Sequence, residues 1–141
     1  MSSGITFTET MTGEEYNELR MSVDWKPITE GQARRGLKHT TFLAAARDDG
    51  KIVAMGRMLF DFGYTAYLGD VIVRPEYQGQ GIGKKIVGHL IDRTMEAACE
   101  GERIMFILGA AKDKEGFYEK FGFQRRPNEV SGDGMSMWRT K

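Results

Sequence analysis

The sequence predicts one layered α/β or α+β domain with a mixed sheet. Two strand-like runs, 41–47 and 51–60, are joined by Asp-Asp-Gly at 48–50, which is a strong hairpin signal. A further apolar run at 64–73 leads through a glycine-rich loop into an amphipathic helix and then into the apolar run 103–111. With 141 residues the chain is long enough for one core but not for two, so we expect a single domain over 1–141.

The N-terminal elements follow from local signals. The alternation in 4–10 predicts a short first strand. Thr12 and Glu15 have the spacing of a capping box, which predicts the start of a first helix. Pro27 interrupts the next segment, and a second short helix is expected at Glu30–Lys38.

The C-terminal elements follow from periodicity. A helix is expected from Lys84 to about Glu100, because apolar residues recur there at helical spacing. These residues are Ile86, Val87, Leu90, Ile91 and Met95. The continuous apolar run 103–111 predicts a buried strand, and 113–122 predicts a short helix that Gly122 ends. The segment 134–140 predicts a last strand.

Composition excludes several classes of protein. Lysine plus arginine and aspartate plus glutamate number 20 each, and this balance argues against nucleic acid as a partner. Cys99 is the only cysteine, and no His and Cys cluster has the spacing of metal ligands, so we expect neither an internal disulfide nor a metal. Without a membrane-length apolar run or a signal peptide, we expect a soluble cytoplasmic protein.

The glycine-rich loop is the most informative motif. Gly79, Gly81 and Gly83 alternate with other residues between a strand and a helix. The first N–H groups of a helix have no intrahelical partner, and glycine lets an anion approach them closely. A tight turn that needs glycine for geometry alone is the alternative, but three glycines in series favour an anion site.

Two nucleotide motifs do not fit this loop. A P-loop, G-x-x-x-x-G-K-[ST], would need glycine and a hydroxyl residue where Gln78 and Lys85 stand. A dinucleotide fingerprint, G-x-G-x-x-G, that began at either of the first two glycines would need glycine or alanine where Lys84 or Ile86 stands. A nucleotide-binding protein is therefore disfavoured.

The loop does match Q/R-x-x-G-x-G/A, as Gln78, Gly81 and Gly83. An apolar strand precedes it, and the segment GFYEKFGF follows at 116–123. Together these features resemble the GNAT superfamily of N-acetyltransferases over 64–123.

This resemblance implies a central mixed, largely antiparallel sheet with two splayed parallel strands and about four flanking helices. It also implies acetyl-CoA as cosubstrate, with the pantetheine arm between the splayed strands and the pyrophosphate on the loop. The cofactor-binding residues carried over are Val71, Val73, Gln78, Gly79, Gln80, Gly81, Ile82, Gly83 and Lys84. For Lys84 a solvated helix start is the equal alternative.

The resemblance also suggests catalytic residues. Tyr118 stands where related enzymes often place a tyrosine near the sulfur of CoA, and it could protonate the leaving thiolate. Packing of the last helix is its alternative role. Asp70 is the carboxylate nearest the expected reaction centre and a candidate base. A structural aspartate at a strand bulge, with a water relay for the proton, is the equal alternative.

The acceptor is expected to be a primary amine of a small molecule or peptide. Trp25 and Tyr67, with Phe60 and Tyr64, could wall its pocket, although aromatic residues are more often core. Because Cys99 lies far from the motif, we expect direct attack in a ternary complex. A non-catalytic acetyl-CoA-binding module is the alternative function, and a homodimer is possible because dimers are common in the superfamily.

Overall fold

A computed structural model describes residues 4–141. The chain forms two compact units, Met1–Ile107 and Leu108–Lys141. The helices and strands in chain order are β1 (Ile5–Thr8), α1 (Gly13–Ser22), α2 (Glu30–Lys38), β2 (Phe42–Asp48), β3 (Lys51–Phe60), β4 (Thr65–Val73), α3 (Ile82–Ala97), β5 (Met105–Ile107) and α4 (Glu115–Glu119). A short 3₁₀ turn, Pro75–Tyr77, follows β4.

The first unit contains one five-stranded mixed sheet. Its order is β1-β2-β3-β4-β5, with antiparallel pairing throughout except for the parallel pair β4–β5. With the four α-helices this confirms the predicted fold class. None of the helices in 4–141 has the length and apolar character that crossing a bilayer requires.

The two faces of the sheet carry separate layers of core. On one face, α1 and α2 pack a cluster that includes Tyr16, Leu19 and Met55. On the other face α3 approaches β3 so closely that a Cβ on Gly56 would lie 2.7 Å from Cγ2 of Ile86. Glycine at this position therefore allows the helix to pack directly on the sheet.

Several local predictions are confirmed. Thr12 caps α1 in a reciprocal box with Glu15, and the second helix lies at Glu30–Lys38. The hairpin between β2 and β3 turns at Asp49 and Gly50, which both have positive φ, 51° and 88°. This geometry is the one that a two-residue hairpin turn requires.

The helix after the glycine loop is displaced from its predicted bounds. It begins at Ile82 and ends at Ala97, and Met95 is 45% exposed instead of lying on the buried face. Thr94 takes that place, fully buried, because its hydroxyl donates to the Leu90 carbonyl over 2.8 Å. A back-bonded threonine can thus continue an apolar face.

The run 103–111 is not the long buried strand that its apolar character predicts. Only Met105–Ile107 pairs, and Met105 is 45% exposed. The reason is position, since β5 is the last strand in the order and has one neighbour in the described sheet.

One prediction in the second unit is confirmed in part and another is wrong. The predicted short helix is present as α4, but it spans only Glu115–Glu119, and Gly122, at φ 102°, lies in the turn beyond it. The predicted last strand, 134–140, has no regular structure, and Trp138 is 95% exposed. Alternating residues make a strand only where a neighbouring strand pairs with them, and no described strand pairs with this segment.

Candidate active site

The glycine loop joins β4 to α3 through two left-handed residues. Gly79 has φ 80° and Gly81 has φ 82°, and Gly81 is the N-cap of α3. No side chain caps this helix start. The first helical bond runs from the Lys85 N–H to the Gly81 carbonyl, so the earlier N–H groups of this turn have no intrahelical acceptor.

The surroundings of these N–H groups suit an anion. The first turn of α3 contains no acidic residue. A Cβ built on Gly79 or Gly81 would meet no atom within 4 Å, so the loop is open on that side. Lys84 is exposed in the first turn, and Lys85 Nζ lies 5.7 Å from the centre of the Phe7 ring. The donor set and its access therefore fit a phosphate group.

Side chains tie the loop to the sheet. The Gln78 amide nitrogen donates to the Val73 carbonyl over 2.9 Å, which closes the loop back onto the end of β4. The Nε of Arg74 donates to the Ile52 carbonyl over 2.7 Å, and its Nη2 lies 3.1 Å from Glu18. Sequence reasoning missed Arg74, although it directly follows the strand.

The Tyr77 hydroxyl adds a further anchor by donating to Asp48 over 2.5 Å. This hydrogen bond raises the pKa of Tyr77, because an ionised phenolate could not donate it. The turn that leads into the loop is thereby attached to β2.

The strand before the loop has an open edge. Pairing of β4 with β5 covers only Thr65 to Tyr67, which face Met105 to Ile107. In the described sheet the rest of β4, 68–73, pairs with β3 alone. Backbone groups at Val71 and Val73 belong to this part of the strand, as the predicted pantetheine contacts require.

Asp70 lies at a bulge in β4. Met55 pairs with Ile72 and Arg57 with Gly69, so two residues of β4 stand opposite one of β3. Asp70 has φ 50°, a left-handed conformation that aspartate tolerates better than most residues.

Three side chains from two other elements hold the Asp70 carboxylate. The Nε of Arg57 donates to Oδ2 over 2.7 Å, and the Tyr16 hydroxyl donates to the same oxygen. Nη1 of Arg20 lies 3.6 Å from Oδ1. Tyr16, Arg20, Arg57 and Asp70 are called the Asp70 cluster below.

Burial dominates the chemistry of Tyr16. Tyr16 is only 2% exposed, and its removal from water together with its bond to Asp70 raises the pKa of the phenol to about 12. Tyr16 is therefore neutral at physiological pH and stays a donor to Asp70.

The candidate acceptor residues have different surroundings. Trp25 is half-buried against the core under α1, and the Arg20 guanidinium lies 5.6 Å from its ring centre. Tyr67 is 44% exposed on β4. Tyr64 is also exposed, whereas Phe60 is buried and belongs to the core.

Tyr118 lies on α4, in the second unit. Its ring centre is 5.0 Å from that of Phe117 and 6.1 Å from that of Phe123. The ring is thus part of an aromatic cluster, and catalysis by its hydroxyl stays a prediction.

Sequence reasoning did not find Tyr16, Arg20 or Arg57. Arg57 did leave a signal, because it is the one charged residue between Ile52 and Phe60 in an apolar strand. Such a residue needs a partner when the strand is buried. No group of three or more His, Cys, Asp or Glu within 4–141 is placed to hold a metal.

Known proteins resemble this chain over most of its length. The family model described as "Acetyltransferase (GNAT) family" matches residues 7–123. An uncharacterized N-acetyltransferase, ycf52, of Pyropia yezoensis is 30% identical over 122 residues, which are 84% of this chain and 68% of the relative. Serotonin N-acetyltransferase 2 of Oryza sativa is 28% identical over 130 residues, which are 89% of this chain and 62% of the relative.

A solved structure has a similar fold. A Staphylococcus aureus protein described as a "Probable Acetyltransferase" superposes with a TM-score of 0.84 at 29% identity, covering 96% of this chain and 99% of its own. The family match and the relatives agree with the glycine loop and the sheet described above. The chain belongs to the GNAT family of acetyltransferases.

Proposed function

We propose that this acetyltransferase uses acetyl-CoA and transfers the acetyl group to a primary amine. The observation that carries the proposal is the start of α3. Gly81 is left-handed there, no side chain caps the helix, and the loop is open to an anion. A CoA pyrophosphate matches this set of unpaired N–H groups and the favourable end of the helix dipole.

The loop and β4 provide the proposed cofactor contacts. Backbone groups of Gln78 to Gly83 hold the pyrophosphate, with Lys84 close by in the first turn. The pantetheine arm lies along the open edge of β4, where Val71 and Val73 offer backbone groups that β5 does not use. The Gln78 amide keeps the loop in place by its bond to Val73.

Bound acetyl-CoA supplies the acetyl group as a thioester, which a neutral amine attacks as the thiol leaves. We propose that Tyr118 gives its proton to the sulfur, since a phenol is protonated at neutral pH.

Asp70 is the candidate base. The prediction that Asp70 is the base is weakened by its contacts, because Arg57 and Tyr16 donate to one carboxylate oxygen and Arg20 faces the other. We propose that water accepts the proton of the amine and that Asp70 positions the cluster around it.

Direct attack is favoured over an acyl-enzyme. The loop lies at the N-terminal end of α3, and Cys99 follows its C-terminal end. Sixteen helical residues separate these ends by about 24 Å. The Cys99 thiol therefore lies at the opposite end of α3 from the proposed pyrophosphate site, which supports direct attack.

The acceptor is proposed to bind beside the Asp70 cluster, with Trp25 and Tyr67 as walls. One relative is named for serotonin, which carries a primary amine, and we extend to this chain only the amine. A single domain, a homodimer and a cytoplasmic location stay predictions.

Turnover of acetyl-CoA with a panel of amines tests the proposal. Thiol release that depends on the amine, with an acetylated product of matching mass, is the expected result. CoA binding without product from any amine would favour the non-catalytic module.

A further inference from the structure

The Asp70 cluster carries an excess of positive charge. Arg20 and Arg57 are cations, Asp70 is the one carboxylate among the described residues that pairs with them, and Tyr16 is a neutral donor. The cluster therefore has a formal charge of plus one. Its charged side chains are 16–21% exposed, so this charge lies in a partly desolvated position where it is weakly screened.

The two arginines differ in their hydrogen bonds to the rest of the protein. Arg57 donates to Asp70 and, through Nη1, to the Thr40 hydroxyl over 3.1 Å. Within 4–141 the Nε of Arg20 donates a hydrogen bond to the Lys26 carbonyl over 2.8 Å. Its contact with Asp70, at 3.6 Å, is an ion pair longer than a hydrogen bond.

Arg20 therefore keeps N–H donors for which no described residue is a hydrogen-bond acceptor. A guanidinium has five N–H groups in a planar fork, and four of them are on the two Nη atoms. The Trp25 ring lies against this guanidinium and restricts its position. A fixed fork with free donors is the arrangement that binds a carboxylate or a phosphate in two places.

The location links this fork to the acceptor. Arg20 reaches Asp70, which lies in the bulge of β4 beside the strand's open edge. If the proposed function holds, the acetyl group is delivered along that edge. An anionic group bound to Arg20 would then belong to the acceptor, whose amine reacts at that edge.

We propose that the acceptor carries an anionic group, a carboxylate or a phosphate, in addition to its amine, and that Arg20 binds this group. The inference rests on the proposed function and specifies its substrate class. A simple cationic amine is disfavoured here, because the nearest carboxylate, Asp70, is outnumbered by two arginines.

Matched pairs of acceptors test this inference. Thiol release from acetyl-CoA is measured with β-alanine and β-alaninamide, and with phosphoethanolamine and ethanolamine. Putrescine and tryptamine represent amines without an anionic group. We expect kcat/KM for the anionic member of at least one pair to exceed that of its neutral partner by about tenfold or more. The pair that shows the preference distinguishes carboxylate from phosphate.

Variants of Arg20 locate the effect. Arg20→Gln should remove the preference by raising KM for the anionic acceptor about tenfold more than KM for its neutral partner. Arg20→Lys, which keeps the charge without the fork, should restore part of it. Arg34→Gln is the matched control, because it removes an exposed arginine, 69% accessible, from α2. Thermal unfolding of each variant shows whether it is folded.

The results separate a failure of this inference from a failure of the proposed function. Equal rates within both pairs, or faster turnover of putrescine or tryptamine than of every anionic acceptor, overturn the inference and leave acetyl transfer standing. A preference that survives Arg20→Gln in a folded enzyme overturns the role of Arg20. Failure of every amine in the panel contradicts both the inference and the proposed function.

Discussion

Arg57 Nε donates to Asp70 Oδ2 across the β3–β4 pair over 2.7 Å, at the point where β4 bulges. The bulge places the Asp70 side chain on the face of the sheet that α1 covers. There the Tyr16 hydroxyl and the Arg20 guanidinium also contact its carboxylate. This ion pair therefore connects the backbone geometry of β4 to α1.

Asp70→Asn should lower the free energy of unfolding by about 1–3 kcal/mol, because it leaves two partly buried guanidinium groups without a counter-charge. Asp92→Asn, on the exposed side of α3, is the control and should change stability by less than about 0.5 kcal/mol. Urea unfolding measures both.

The same variant separates the two roles of Asp70. If Asp70 positions the cluster, kcat/KM falls while the shape of its pH profile is kept. A changed pH profile of kcat/KM in the folded variant would instead identify Asp70 as the base.

The raised pKa of Tyr16 predicts that the folded protein loses stability in alkali. Its pKa is raised to about 12 in the folded protein, against about 10 in an unfolded chain. Above pH 10 the unfolded state loses this proton before the folded state does, so unfolding releases a proton and stability falls as pH rises from 10 to 12. One such group contributes at most about 1.4 kcal/mol per pH unit.

Tyr16→Phe isolates that contribution. The variant should be less stable at pH 8, because Asp70 loses a donor, and its stability should fall less steeply between pH 10 and 12. Parallel curves for the two proteins would show that Tyr16 does not titrate as described. Denaturant unfolding at a series of pH values gives the comparison.

Gly81→Val tests the anion cradle. A β-branched residue at φ 82° is strained, and its side chain would stand over the N–H groups of the helix start. We expect CoA affinity to fall at least about a hundredfold by calorimetry.

Gly88→Ala is the matched control within α3, since its Cβ would meet nothing within 4 Å. It should stabilise the helix by roughly 0.5–1 kcal/mol and leave CoA binding unchanged. Undiminished affinity in Gly81→Val would contradict the assignment of the loop.

Local chemistry explains which elements the sequence could predict. The capping box of Thr12 and Glu15, and the turn at Asp49 and Gly50, need only neighbouring residues, and both are confirmed. The loop before α3 is of the same kind, because its glycines provide the positive φ that the helix start uses.

Long-range pairing explains what the sequence could not predict. The segment 134–140 alternates like a strand, but a strand depends on a partner that alternation does not specify. Tyr16 and Asp70 are 54 positions apart, and a bulge of one residue decides that they meet. Nothing in the local sequence of α1 indicates that contact.

Tyr118→Phe tests the proposed acid. The change removes one hydroxyl and keeps the ring that contacts Phe117 and Phe123. We expect kcat to fall by about a hundredfold with little change in KM for acetyl-CoA, because a proton donor acts in the transition state. Phe117→Leu, which alters the same aromatic cluster without removing a hydroxyl, is the control. Equal loss in both variants would assign Tyr118 to packing.

The most direct test of the account is a single-turnover reaction of the protein with acetyl-CoA and a panel of amines, followed by mass spectrometry. We predict an acetylated amine in proportion to the free thiol released, no acetyl group left on the protein, and no product from Gly81→Val. Thiol release without an acetylated amine, or an acetyl group found on Cys99, would contradict direct transfer in a ternary complex.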